Sequence, residues 1–160
     1  METKKTKVMS IEECFEEIML YCHWRNWLPD WIIVQKIYQS FPDSYSILTP
    51  FAYAYFEELI RSTTSEYGMT AFDRETRQPI KKRKTSNQLI DLSIKENDGN
   101  EALVCLLEQM RSYYKNSDAS DNGDNRHSTA HGYMHPRFWS KESFEQLIRD
   151  IASLSKHSGQ

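Results

Sequence analysis

No run of 18 apolar residues occurs in the chain, so a membrane-spanning helix is not expected. Glycine and proline are sparse, five of each, which excludes collagen-like repeats and a wholly disordered chain. Cysteine is scarcer still: Cys14, Cys22 and Cys105 make an odd number, and no Cys-x-x-Cys pair exists. All three lie among apolar residues of predicted helices and read as buried, reduced thiols of a cytosolic protein. Sustained period-two alternation is missing, which argues against a half-buried β-sheet. An excess of positive charge is missing too. The 20 Lys+Arg against 23 Asp+Glu leave a net charge of -3, which excludes the uniformly basic coat of a high-affinity DNA binder. A local basic patch stays open.

What is present suits one domain over 1–160. The 160 residues are 39% hydrophobic, 12% aromatic and 27% charged. A chain of this length buries roughly two-thirds of its unfolded surface, with no need of a disulfide or metal to fold. Lys4, Lys5 and Lys7 near the start are followed by Glu12, Glu13, Glu16 and Glu17 instead of an apolar stretch. No secretory signal is therefore expected, and the expected location is cytoplasmic.

Helical spacing dominates. Ser10 and Glu13 form a capping-box pattern, followed by Ile11, Phe15, Ile18, Met19 and Cys22 at helical intervals, and this helix should stop before Pro29. Trp31 to Tyr38 predicts a short helix. Pro50 fits a first turn, with Phe51 to Ser62 continuing as an aromatic-rich helix. In it Phe51, Tyr55, Phe56 and Leu59 face the core, while Glu57, Glu58 and Arg61 fall mostly on the other side. Residues 64–88 predict an irregular, basic insertion. Asn87 to Lys95 and Glu101 to Tyr114 follow as helices, then a polar, acidic loop over 116–125 carrying Asp118, Asp121 and Asp124. The last helix starts at Ser140, with Trp139 and Phe144 at staple positions and Phe144, Leu147, Ile148, Ile151 and Leu154 as its apolar stripe. The expected architecture is all-α: an up-and-down bundle of about five helices.

Side chains with chemical capacity concentrate between the last two long helices. The string Asn125-Arg126-His127-Ser128-Thr129-Ala130-His131-Gly132-Tyr133-Met134-His135 holds three of the five histidines. Arg126 and His131 are five apart. In a helix with a loosened end both could point into one groove, with Gly132 letting the chain turn sharply afterwards.

The pattern Asn-Arg-His-x-x-x-His-Gly-Tyr resembles the signature of HEPN domains, a helical family of prokaryotic toxins and defence proteins. In that motif an arginine is followed by a polar residue, about three variable residues and a histidine, and Arg126, His127 and His131 fill those places. The aromatic helix with Glu57-Glu58 resembles the helix that precedes the motif in many such proteins. The likeness is residue-specific over 125–133 and extends over most of the chain as a helix pattern.

The resemblance implies a metal-independent endoribonuclease that needs no cofactor and leaves a 2′,3′-cyclic phosphate, in toxin–antitoxin control or phage defence. Histidine can carry protons at neutral pH, and arginine grips phosphate oxygens in a permanently charged fork. His131 is accordingly expected to transfer the proton and Arg126 to hold the phosphate, with Asn125 and His127 as orienting groups. Two protomers commonly bring their motifs together in the family, which implies a homodimer whose partner supplies the second histidine. Arg126-x4-His131-x-Tyr133 resembles the HepT-type pattern, in which the tyrosine is adenylylated by a nucleotidyltransferase antitoxin. The alternative for Tyr133 is packing against Trp139 or a nearby hydrogen bond.

Other readings stay open. The alternative function is a non-catalytic HEPN-like module that binds RNA, a nucleotide or a partner protein. On a continuous helix His127, His131 and His135 would line one face and could hold zinc; Gly132, Pro136 and the missing fourth ligand argue against that, and no metal site is expected. His23 reads as a packed or surface residue. Arg74, Arg77, Lys81, Lys82, Arg83 and Lys84, offset by Asp73 and Glu75, form an island of about +4 that is either an RNA-backbone contact centred on Lys81–Lys84 or a solvated loop. Trp24, Trp27 and Trp31 cluster for core packing or, second, a dimer interface. Asp118, Asp121 and Asp124 stand close enough in sequence to repel RNA phosphates or to pair with Arg126.

Overall fold

The structure is a computed structural model and describes residues 8–22, 27–68, 72–73, 75–118, 120–132 and 135–158. The N-terminal lysines, His23, Trp24, Arg74 and Tyr133 lie outside the described residues. Seven α-helices are present among them, against the expected five or so: α1 (Ile11–Tyr21), α2 (Leu28–Ser40), α3 (Tyr45–Arg61), α4 (Ser86–Glu96), α5 (Glu101–Met110), α6 (Arg126–His131) and α7 (Lys141–Ser155). No strand longer than a single bridge, Phe72 with Pro79, occurs among the described residues. None of these helices is long and apolar enough to cross a membrane.

Local chemistry starts the helices where the sequence suggests. Ser10 Oγ accepts from the Glu13 N–H at 3.2 Å, and Glu13 Oε2 accepts from the Ser10 N–H at 2.7 Å. Ser140 Oγ accepts from the Ser143 N–H at 3.0 Å and starts α7. Pro50 departs from expectation. It lies inside α3, which begins five residues earlier at Tyr45, instead of in the first turn. Proline cannot donate to the carbonyl four residues back. Near this break Thr49 Oγ1 donates to the Tyr45 carbonyl at 2.7 Å.

The bundle is stitched by aromatic rings. α7 packs chiefly against α1 and α3, and α4 packs on α3 and α5. Trp31 meets Tyr55 and Phe51 edge-on, with centroids 5.1 and 5.2 Å apart. Phe15 joins Trp31 to Tyr38, and Tyr38 reaches Phe144 at 5.3 Å. These rings tie α1, α2, α3 and α7 together. Each buried large side chain stabilises by about 1.5–3 kcal/mol, and each favourable ring pair adds about 0.5–1.5 kcal/mol. Trp27 packs edge-on against Phe51 and Tyr55, so both described tryptophans of the expected cluster serve the core. Cys14 and Cys22 are buried, but Cys105 is exposed on the outer row of α5, because Leu103, Leu107 and Met110 take the inward positions.

The acidic loop is folded down. Gly123 has φ +91°, and its carbonyl accepts from the Tyr53 hydroxyl at 2.9 Å. The Asn122 carbonyl accepts from the Ser140 N–H at 2.6 Å. A Cβ on Gly123 would lie 2.9 Å from Trp139 Cβ, so glycine is required there for both conformation and space. Gly123→Ala is expected to lower the free energy of unfolding by about 2 kcal/mol in urea titration, whereas a surface glycine with the same φ and open space would lose less.

Candidate active site

A helix of six residues does not hold itself together in water. α6 is held from outside. Asn125 caps it, its Oδ1 accepting from the His127 N–H at 2.8 Å and the Ser128 N–H at 3.4 Å. The same side chain donates through Nδ2 to the carbonyls of Lys115 and Asn116, both at 3.0 Å, and is fully buried. Gly132 ends the helix in the left-handed region at φ +62°, with its N–H on the Ser128 carbonyl. Ser128 is buried, and its hydroxyl donates to Asp121.

The faces of α6 sort the motif residues. Successive residues turn about 100°, which places Ser128 and Thr129 on the buried side and His127 and His131 about 40° apart on the outer side. The imidazoles of His127 and His131 lie nearly parallel, with centroids 5.9 Å apart and planes at 6°. Arg126 lies on the flank. Its Nη2 stands 3.1 Å from Glu57 Oε2 of α3, and 29% of its side chain stays exposed. The structure therefore pairs His131 with His127 and Arg126 with Glu57. No hydrogen bond or ring contact joins Arg126 to His131 among the described residues.

Glu57 belongs to a line of charge along the end of α3. Its Oε1 lies 3.3 Å from Arg61 Nη2, and Arg61 Nη1 lies 3.4 Å from Glu66 Oε2. Glu66 Oε1 in turn meets Lys84 Nζ at 3.2 Å. Arg61 also donates to the Lys84 carbonyl at 2.9 Å. Arg61 is 7% exposed and Glu66 1%, so the polar row of α3 is covered, not solvated as its spacing suggested. The cover consists of α6 and the segment between α3 and α4. Tyr114 stands beside this line, its buried hydroxyl without a hydrogen-bond partner. Burial pushes the phenol above the ordinary tyrosine range. Glu57 adds to that shift, and Arg126 and Arg61 oppose it.

The acidic loop pairs with Lys115, and Arg126 pairs with Glu57 instead. Lys115 Nζ contacts Asp124 at 3.0 Å and Asp121 at 3.6 Å. Asp121 also accepts from the Asp118 N–H at 2.7 Å, and Asp118 accepts from the Ser120 N–H at 2.8 Å. The carboxylates are spent on building the loop, and the partner of Arg126 comes from a helix about 70 residues earlier. Of the basic island, Lys84 is held by Glu66, and Arg83 donates to the Gly68 carbonyl. Lys81 and Lys82 are exposed. Among the described residues no three His, Cys, Asp or Glu side chains are grouped to hold a metal ion.

No family model matches the chain, and neither a curated protein nor a solved structure matches it.

Glu57 had a partial sequence signal, the Glu57–Arg61 spacing of four within an aromatic helix. Tyr114 had none, and Asp121 stood out only as one of three loop acids, with no sign that it would join Ser128 and Lys115. For Asp121, burial raises the carboxyl, but the Asp118 N–H, the Ser128 hydroxyl and the Lys115 ammonium outweigh it and hold it below the ordinary aspartate value. A carboxyl lowered on folding stabilises above its unfolded value and loses that contribution as pH falls through the folded one. The wild type should thus exceed Asp121→Asn by about 2 kcal/mol at neutral pH, and urea midpoints should converge as the solution is acidified below the ordinary aspartate range.

Proposed function

We propose that the chain is a metal-independent endoribonuclease of HEPN type, with α6 as its catalytic element. The observation that carries this reading is the exposed His131 on a helix whose one arginine is fixed at the edge by Glu57 while 29% of that side chain stays exposed. Arg126 binds the scissile phosphate, and His131 transfers a proton to or from the reacting oxygens. The 2′-oxygen attacks phosphorus, the bond to the 5′-oxygen breaks, and a 2′,3′-cyclic phosphate and a 5′-hydroxyl result. Asn125 fixes the start of the helix, and the exposed Lys81 and Lys82 provide a further backbone contact for RNA, while Arg83 bonds the Gly68 carbonyl and Lys84 pairs with Glu66. In this reading the protein is a cytoplasmic, dimeric toxin or defence factor. A nucleotidyltransferase antitoxin that modifies Tyr133 is the matching regulator.

A second reading is favoured by one feature. The Glu57 carboxylate already neutralises Arg126, as it would in a non-catalytic module that binds RNA, a nucleotide or a partner protein. Incubation of purified protein with mixed RNA in EDTA separates the two. Cleavage that falls by about 10²–10⁴ in both Arg126→Ala and His131→Ala supports the ribonuclease. Intact RNA, with Arg126→Ala weakening binding instead, supports the module. Cleavage that survives both substitutions contradicts either role for α6.

A further inference from the structure

Metal-free cleavage of RNA needs two proton transfers. One group takes the proton of the 2′-hydroxyl, and another gives a proton to the departing 5′-oxygen. The two oxygens stand on opposite sides of the phosphorus, so the two groups must be separated by a phosphate and still reach it together. A proton-transfer group works within about 2.6–3.2 Å of its oxygen. The sequence pattern assigned one histidine per chain to this task and looked to a partner protomer for the other.

α6 already carries two. His127 and His131 are four residues apart on the outer side of the helix, and their rings are nearly parallel with centroids 5.9 Å apart. At that spacing the parallel rings form an offset stacked pair, so a phosphate would meet the nitrogens at the ring edges and not enter between the faces. Among the described residues neither imidazole makes a hydrogen bond within the chain, so the nitrogens of both rings are available. His127 is also held in place through its backbone, whose N–H donates to Asn125 Oδ1 at 2.8 Å. Arg126, the next residue along, keeps a guanidinium at the edge of the same helix, fixed by Glu57 at 3.1 Å.

We infer that His127 is the second proton-transfer residue and that a single chain holds the complete acid–base pair. The inference rests on the ribonuclease reading and deepens it. One imidazole begins neutral and takes the 2′-hydroxyl proton as the 2′-oxygen attacks phosphorus. The other begins protonated and delivers its proton to the 5′-oxygen as the P–O5′ bond breaks. The pair ends with its protons exchanged, and exchange with water resets it. Arg126 balances the charge on the non-bridging oxygens throughout. A second protomer is then unnecessary for the proton transfers, whatever the oligomeric state.

The test uses the full-length protein and RNA in EDTA. His127→Ala is chosen because the Asn125 cap binds the backbone of residue 127 and survives loss of the side chain; circular dichroism of the variant checks folding, and His127→Gln serves as a second variant. The expected result is a loss of about 10²-fold or more in kcat, partly restored by free imidazole in the buffer, which a purely structural role would not allow. Mixing His127→Ala with His131→Ala should leave cleavage no higher than either variant alone, because no chain then has both rings. His127→Ala at the wild-type rate, a loss that imidazole does not restore, or recovery in the mixture overturns the inference while leaving the ribonuclease reading in place. A wild-type protein that cleaves no RNA overturns the ribonuclease reading itself, and the inference with it.

Discussion

The interaction on which the rest depends is the line of buried charge at the end of α3. Glu57, Arg61 and Glu66 are nearly removed from water, and each is held by the next at 3.3–3.4 Å. Charges taken out of water are costly to leave unpaired, and removing one partner from such a set costs about 3–5 kcal/mol. The line therefore acts as a fastening with a definite geometry. Toward α6 it ends on Arg126; toward the basic segment it ends on Lys84. Two pieces of chain with few helical residues of their own are thereby located on one rigid element.

That element is rigid because its other side is apolar. Tyr55, Phe56, Leu59 and Ile60 are buried in the core, against rings from α2 and the turn after α5. α3 thus has a hydrophobic face that fixes its position and a charged face that hands the position on. The loop before α6 completes the arrangement. Tyr53 holds Gly123, Lys115 gathers Asp121 and Asp124, and Asn125 joins the loop to the helix start. The outer side of α6 is left with His127, His131 and the flank of Arg126 as its chemistry.

Much of the scaffold was legible in the sequence because its signals are local. The capping box of Ser10 and Glu13, the Ser140 cap and the stripe from Phe144 to Leu154 depend on residues three or four apart, and the structure has all of them. Pro50 misled because a proline that suits a first turn also survives within a helix when nearby packing holds the break. Cys105 misled because apolar neighbours in sequence do not fix which row of a helix turns inward. In the site, the motif string falls on α6 and its cap, which carry Asn125, Arg126, His127 and His131. Its geometry was hidden for a different reason. Glu57 and Arg61 have the spacing of a solvated face, and they are covered by Glu66 and Lys84 of the segment that follows α3 and by Arg126 about 70 residues later. The pairing of His127 with His131, in place of Arg126 with His131, follows from the 3.6-residue turn once the helix is known to be regular up to Gly132.

The central claim is that α3 fixes Arg126 through Glu57. A double-mutant cycle with Glu57→Gln, Arg126→Gln and the pair together, read by urea denaturation, tests it directly. The account predicts a coupling of at least about 1 kcal/mol between the two changes, as for residues joined in one buried network. Effects that add to within about 0.3–0.5 kcal/mol would mean that the two side chains do not depend on each other, and would contradict it.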